Sequence, residues 1–172
     1  QVAEFNLTNQ NSQPVTLADL NGQVWIADII FTSCGGPCPE MTRKMSELQA
    51  ALPASLPVKL ISLTTYPEFD TPPVLKKYGE RFGANPDRWA FLTGSKSEIY
   101  KLAVESLKLT VIEKKPEERE SIADLFIHST IFVAVDAHGQ LRGVFQTSGE
   151  DVEWPKVKRE ILGAVQKLAR EK

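Results

Sequence analysis

The sequence predicts a mixed α/β fold on a parallel-rich sheet. Three observations carry that expectation: apolar segments of strand length alternate with helical patterns, one such segment is apolar almost throughout, and a long amphipathic helix closes the chain. The near-continuous segment is Val24-Trp25-Ile26-Ala27-Asp28-Ile29-Ile30-Phe31, which fits a central strand buried on both faces. With 172 residues and 42% hydrophobic content, the chain suffices for one compact domain, 1–172, and is short for two.

The elements follow in order. Val15-Thr16-Leu17 reads as a short extended segment and Asn21-Gly22-Gln23 as the turn that leads into the central strand. From Pro39 the pattern becomes helical, because Met41, Met45, Leu48 and Leu52 recur at three- and four-residue steps and a proline is tolerated in a first turn. Residues 58–63 supply a strand, 72–82 a helix that should end near Gly83, 89–92 a strand and 97–107 a helix. Leu109-Thr110-Val111-Ile112 leads into the charged run 113–120, expected to be a solvated loop or hairpin. The strands 129–135 and 141–145 flank Asp136-Ala137-His138-Gly139, a hairpin signal. A helix over 152–169 keeps Val157, Ile161, Val165 and Leu168 on one face. Trp89 and Trp154 are expected to pack.

Charge narrows the function classes. Twenty basic residues stand against 22 acidic ones, so no global field favours a polyanion, and nucleic acid is an unexpected ligand. No apolar run approaches the roughly 20 residues that span a bilayer, and the first residues lack the pattern of a signal peptide.

The only two cysteines lie together, in Cys34-Gly35-Gly36-Pro37-Cys38. So short a loop removes little entropy from the unfolded chain, so the pair suggests chemistry before stapling. It joins the buried strand to a helix N-terminus, where free N–H groups and the helix dipole favour thiolate, so a lowered thiol pKa is expected. A thiolate can attack a disulfide or hold a soft metal. Three intervening residues, two of them glycine, leave the loop adaptable: a disulfide can form, and the sulfurs can also open into a two-thiolate clamp. An incidental structural pair stays open on spacing alone.

His128 is expected at the start of a core strand, where an apolar residue would be the ordinary choice. It is either a histidine satisfied by a backbone partner or a third ligand facing the thiols. His138 falls at a hairpin tip, which explains it as a solvated turn residue.

These residues resemble the Sco/SenC family. Phe31-Thr32-Ser33-Cys34 through Cys38-Pro39, Asp70-Thr71-Pro72, Leu92-Thr93-Gly94 and His128-Ser129 look like its successive motifs, in order and over nearly the whole chain. The resemblance implies a thioredoxin-like fold, here with an N-terminal extension and an inserted excursion or hairpin before the strand that carries the histidine. It implies copper, Cu(I) or Cu(II), held by Cys34, Cys38 and His128, and delivery to the CuA-bearing subunit of cytochrome c oxidase or another copper protein. A thiol reductant is a further implied partner. So is an extracytoplasmic location, periplasmic or on the outer face of the inner membrane, with an upstream signal or membrane anchor ahead of Gln1. The chain departs from the common pattern at Tyr66-Pro67 and Ile127, where the family commonly has Asp-Pro and Asp, and in its Gly-Gly-Pro spacer.

Asp28 interrupts the buried strand six residues before Cys34. In thioredoxins a buried Asp at that offset accepts a proton during thiol exchange. The structural alternative is a carboxylate paired with a Lys or hydroxyl at the sheet edge. Three functions are therefore expected in this order: a copper metallochaperone, a thiol-disulfide oxidoreductase that keeps target cysteines reduced, and a thiol peroxidase suggested by Thr32-Ser33-Cys34. The last also needs an Arg beside the thiolate.

Overall fold

The computed structural model describes residues 1–34, 38–113, 115–118 and 126–171, those at 111–113 and 126–128 by their backbone. Its centre is a five-stranded sheet in which the strands lie in the order 89–92, 58–64, 24–30, 131–135 and 141–146. β3 (Val24–Ile30), β4 (Val58–Thr64) and β5 (Trp89–Leu92) run parallel, while β8 (Ile131–Val135) pairs antiparallel with β3 and with β9 (Leu141–Gln146). Every residue of β3 is buried, as a central strand covered on both faces requires.

Strand alternation splits the core in two. Val24, Ile26 and Ile30 face Met41, Met45 and Leu48 of α1 (Cys38–Ala51), together with Tyr78 of α2 (Pro72–Arg81) and Ile161 and Val165 of α4 (Trp154–Arg170). Trp25, Ala27 and Ile29 face Leu7, Ile99 and Leu102. Ile99 belongs to α3 (Lys96–Tyr100), which continues as a π-helix over Lys101–Ser106, so the helix expected over 97–107 is present with a widened second half.

The N-terminal extension is a hairpin of β1 (Asn6–Thr8) and β2 (Pro14–Thr16). The strand expected to continue through Leu17 stops at Thr16 instead. Thr16 and Asp19 form a capping box that starts a 3-10 turn over Leu17–Leu20. Thr8 and Thr93 bond each other in both directions, at 2.8 and 2.9 Å, tying the hairpin to the chain after β5. Gly94 permits that approach, since a Cβ there would stand 2.8 Å from Leu7 Cδ2.

The insertion before β8 is a two-stranded ribbon of β6 (Val111–Glu113) and β7 (Phe126–His128), with a 3-10 turn at Pro116–Glu118 and the remainder of the charged run outside the described residues. His128 is thus corrected from the start of a core strand to the end of a ribbon strand, opposite Val111. The chain changes sheets within two residues. The Ser129 N–H donates to Thr110 O on the ribbon side, whereas Thr130 O accepts from the Thr147 N–H beside β9.

Candidate functional site

β3 delivers the chain to the cysteines through a turn in which the Cys34 N–H donates to Phe31 O at 3.1 Å. Cys38 opens α1 and is fully buried, while Cys34 is 8% exposed. Both stand as thiols, in hydrogen-bond contact with each other. The spacer 35–37, read as an adaptable loop, lies outside the described residues.

One expectation about these thiols is reversed. The helix N-terminus is present, yet the Cys38 pKa is pushed far up: burial is the largest cause, followed by the hydrogen bond and charge of Cys34, with Asp28 adding to them against a hydrogen bond from the Phe31 backbone. Removing a thiolate from water outweighs a half-charge at a helix end. Cys34 is the more accessible of the two sulfurs.

Asp28 lies on the α1 face of β3 and is fully buried. Its Oδ1 accepts from Ser62 Oγ at 2.6 Å, and Ser62 Oγ accepts in turn from Trp89 Nε1 at 3.1 Å. The hydroxyl alternative therefore holds in its chemistry but not its place, for Asp28 is on the central strand and not at a sheet edge. Its charge adds the smallest of the upward contributions to the Cys38 pKa.

His128 is placed by its backbone alone. The β3–β8 register runs from Trp25 opposite Val135 to Ala27 opposite Val133, so β8 begins at the end of the sheet where β3 runs on toward Cys34. The ribbon strand that ends at His128 feeds β8 from that end. His138, by contrast, sits at the far pole, where its N–H caps Asp136 Oδ1 at 2.9 Å and Gly139 takes φ +77°.

Two supports of the site escaped sequence reasoning. Thr42, one turn beyond Cys38, donates to Cys38 O at 2.9 Å and lies 2.8 Å from the buried Tyr78 hydroxyl, whose pKa is pushed up chiefly by burial. Asp70 is fully buried and receives Thr32 N–H at 3.1 Å, Thr32 Oγ1, and Thr64 Oγ1 at 2.6 Å. The only signal for Asp70 was its place in the Asp70-Thr71-Pro72 motif. Arg43, the first arginine after the cysteines, is exposed and engaged by Glu40 and Glu47, so it does not supply the cation that a peroxidase reading needs.

Comparison with known proteins gives a consistent result. The SCO1/SenC family model matches residues 1–162. The SCO1 protein homolog of Bacillus subtilis is 39% identical over 158 residues, covering 88% of this chain and 79% of that protein. The structure of BsSco, a member of the Sco family of cytochrome c oxidase assembly proteins in which a disulfide switch was identified, has 34% identity and a TM-score of 0.81, covering 100% of this chain and 95% of that one. ScoI of Bradyrhizobium japonicum, solved with copper bound, shares the fold at 22% identity and a TM-score of 0.76, over 97% of this chain and 98% of that one.

Proposed function

The chain belongs to the SCO1/SenC family, and from that premise we propose that it binds one copper ion through Cys34, Cys38 and His128 and delivers it to the CuA site during cytochrome c oxidase assembly. The observation that carries this reading is the pair of thiols in mutual contact at the junction of β3 and α1. Two sulfurs that close can share one soft ion, and a thiolate pair with an imidazole suits Cu(I), while Cu(II) is also held once water or another weak ligand completes a tetragonal site. Zinc would accept the same donors; copper is favoured because relatives of the same fold hold it.

Copper is cargo in this reading, and the protein's part is to hold and release it. Burial keeps Cys38 protonated, so loading displaces its proton and leaves no bare thiolate in the low-dielectric pocket. The reading includes an extracytoplasmic location with a membrane anchor ahead of Gln1. Among the described residues, no helix is long and apolar enough to cross a membrane.

The second reading is thiol-disulfide exchange, favoured by the buried Asp28 on the thiol face of the sheet and by the disulfide switch identified in BsSco. Anaerobic titration of the reduced protein against a Cu(I) competitor separates the two. The chaperone reading expects one tightly bound copper, weakened at least about 100-fold in His128→Ala. Absence of stoichiometric binding, or an unchanged affinity in the variant, would transfer the assignment to thiol exchange.

A further inference from the structure

We propose that Asp70 is a positioning residue for the thiol site: it clamps the turn ahead of Cys34 to the end of β4, and so holds the Cys34 sulfur at its working distance from Cys38. The proposal rests on the Cys34–Cys38 pair as the working site.

The geometry is that of a clamp on one residue. Phe31 to Cys34 form a turn closed by the Cys34 N–H on Phe31 O, and Thr32 is its first inner residue. Both the N–H and the hydroxyl of Thr32 donate to Asp70, one to each carboxylate oxygen. Gripping backbone and side chain together leaves that residue little freedom.

The other side of the clamp is equally fixed. Thr64, the last residue of β4, donates to Asp70 Oδ2 at 2.6 Å and accepts the Tyr66 N–H at 2.9 Å. The Asp70 N–H donates back to Tyr66 O at 2.8 Å, which closes residues 64–70 into a compact turn. Parallel pairing of Ile30 with Thr64, extended by the Thr65 N–H on Ile30 O at 2.8 Å, brings the two turns side by side. Thr71, next to Asp70, is the N-cap position of α2.

The carboxylate thus joins β3's exit to β4's exit beside the start of α2. Cys38 is fixed at the other end of the spacer by the first turn of α1 and by Thr42. With both ends held, the two sulfurs stand in contact. With the Thr32 end released, each act of metal binding or disulfide closure must order that end anew, which lowers affinity for metal and the equilibrium constant for ring closure alike.

The test compares wild type with Asp70→Ala, Asp70→Asn and Arg88→Ala, all reduced at the start. Arg88 reaches four carbonyls, those of Leu52, Pro53, Ala54 and Leu56, near the far end of α1, so its loss destabilises the fold away from the thiols. The first readout is the Cys34–Cys38 disulfide equilibrium in a glutathione redox buffer, which needs no copper; the second is Cu(I) affinity; the third is stability in urea. Asp70→Ala should disfavour the disulfide about tenfold and weaken Cu(I) about tenfold. Asp70→Asn, which keeps one acceptor oxygen in the same shape, should recover part of both. Arg88→Ala should lower stability and leave both site readouts at the wild-type values. Wild-type disulfide formation in Asp70→Ala, or an Arg88→Ala protein that loses as much at the site, would overturn the proposal. A wild-type protein that takes up no copper overturns the chaperone reading alone, since the disulfide readout still decides the role of Asp70.

Discussion

The contact beneath Cys38 predicts a measurable non-additivity between Thr42 and Tyr78. Thr42 has a single hydroxyl hydrogen, and it is committed to Cys38 O at 2.9 Å, so the 2.8 Å contact with Tyr78 must be made by the tyrosine hydroxyl donating to Thr42 Oγ1. Both residues are buried, Tyr78 at 4% exposure and Thr42 at 0%. Tyr78→Phe removes a donor and leaves Thr42 with its own bond intact, a net loss of about 1 kcal/mol. Thr42→Val keeps the volume but strands the tyrosine hydroxyl away from water and deletes the bond to Cys38 O, for about 2 to 3 kcal/mol. Removing both partners leaves no stranded group, so the double variant should cost less than the sum of the singles by at least about 1 kcal/mol. Urea unfolding of the reduced proteins, followed by tryptophan fluorescence, measures all four corners of the cycle. Additivity within about 0.3 kcal/mol would show that the two hydroxyls are not coupled and that the donor assignment is wrong.

Two further predictions use carboxylates at opposite ends of the sheet. Asp28→Asn should slow reduction of the Cys34–Cys38 disulfide by a small dithiol above neutral pH, because the group that can accept a proton beneath the thiols is gone; an unchanged rate across that range removes the relay. At the far pole, burial raises the Asp136 pKa, but the backbone N–H of Gln140, the Arg142 guanidinium and the N–H of His138 outweigh it and hold the carboxyl below the usual range. A depressed native pKa contributes stability that is present above the unfolded value of about 4 and is lost as pH falls through the native one. Asp136→Asn should therefore lower the urea midpoint at pH 7, with a deficit that shrinks progressively as pH falls below about 4, and a deficit that does not shrink with acid would contradict the ion-pair account.

The segments that carry strong periodicity were legible. Residues 24–31 announce a doubly covered strand, and the spacing of Ile161, Val165 and Leu168 announces α4, because burial on a fixed period is written directly into residue type. β1 was not legible, since Asn6-Leu7-Thr8 has one apolar residue and becomes a strand only by pairing with Pro14–Thr16. The switch between ribbon and sheet at Ser129-Thr130 was hidden for a related reason: both residues suit an extended chain, and only their partners, Thr110 on one side and Thr147 on the other, part them. At the site, the two cysteines identified themselves by being the only ones. The rise in the Cys38 pKa did not, because sequence shows a helix start but not how deep it lies. Asp28 with Ser62, and Asp70 with Thr32, are partnerships across 34 and 38 residues that exist only once β3 and β4 pair.

The placement of His128 on a ribbon separate from the main sheet has a consequence for how the chain behaves when loaded and empty. In the proposed ligand set, one ion joins residues about 90 positions apart, a reversible cross-link that spans about half of the chain and stabilises the native state by binding it. Its strength follows the availability of the metal, so it comes and goes with the cargo. In that ligand set, a receiving protein that takes the ion also removes the link between the ribbon end at His128 and the cysteine turn.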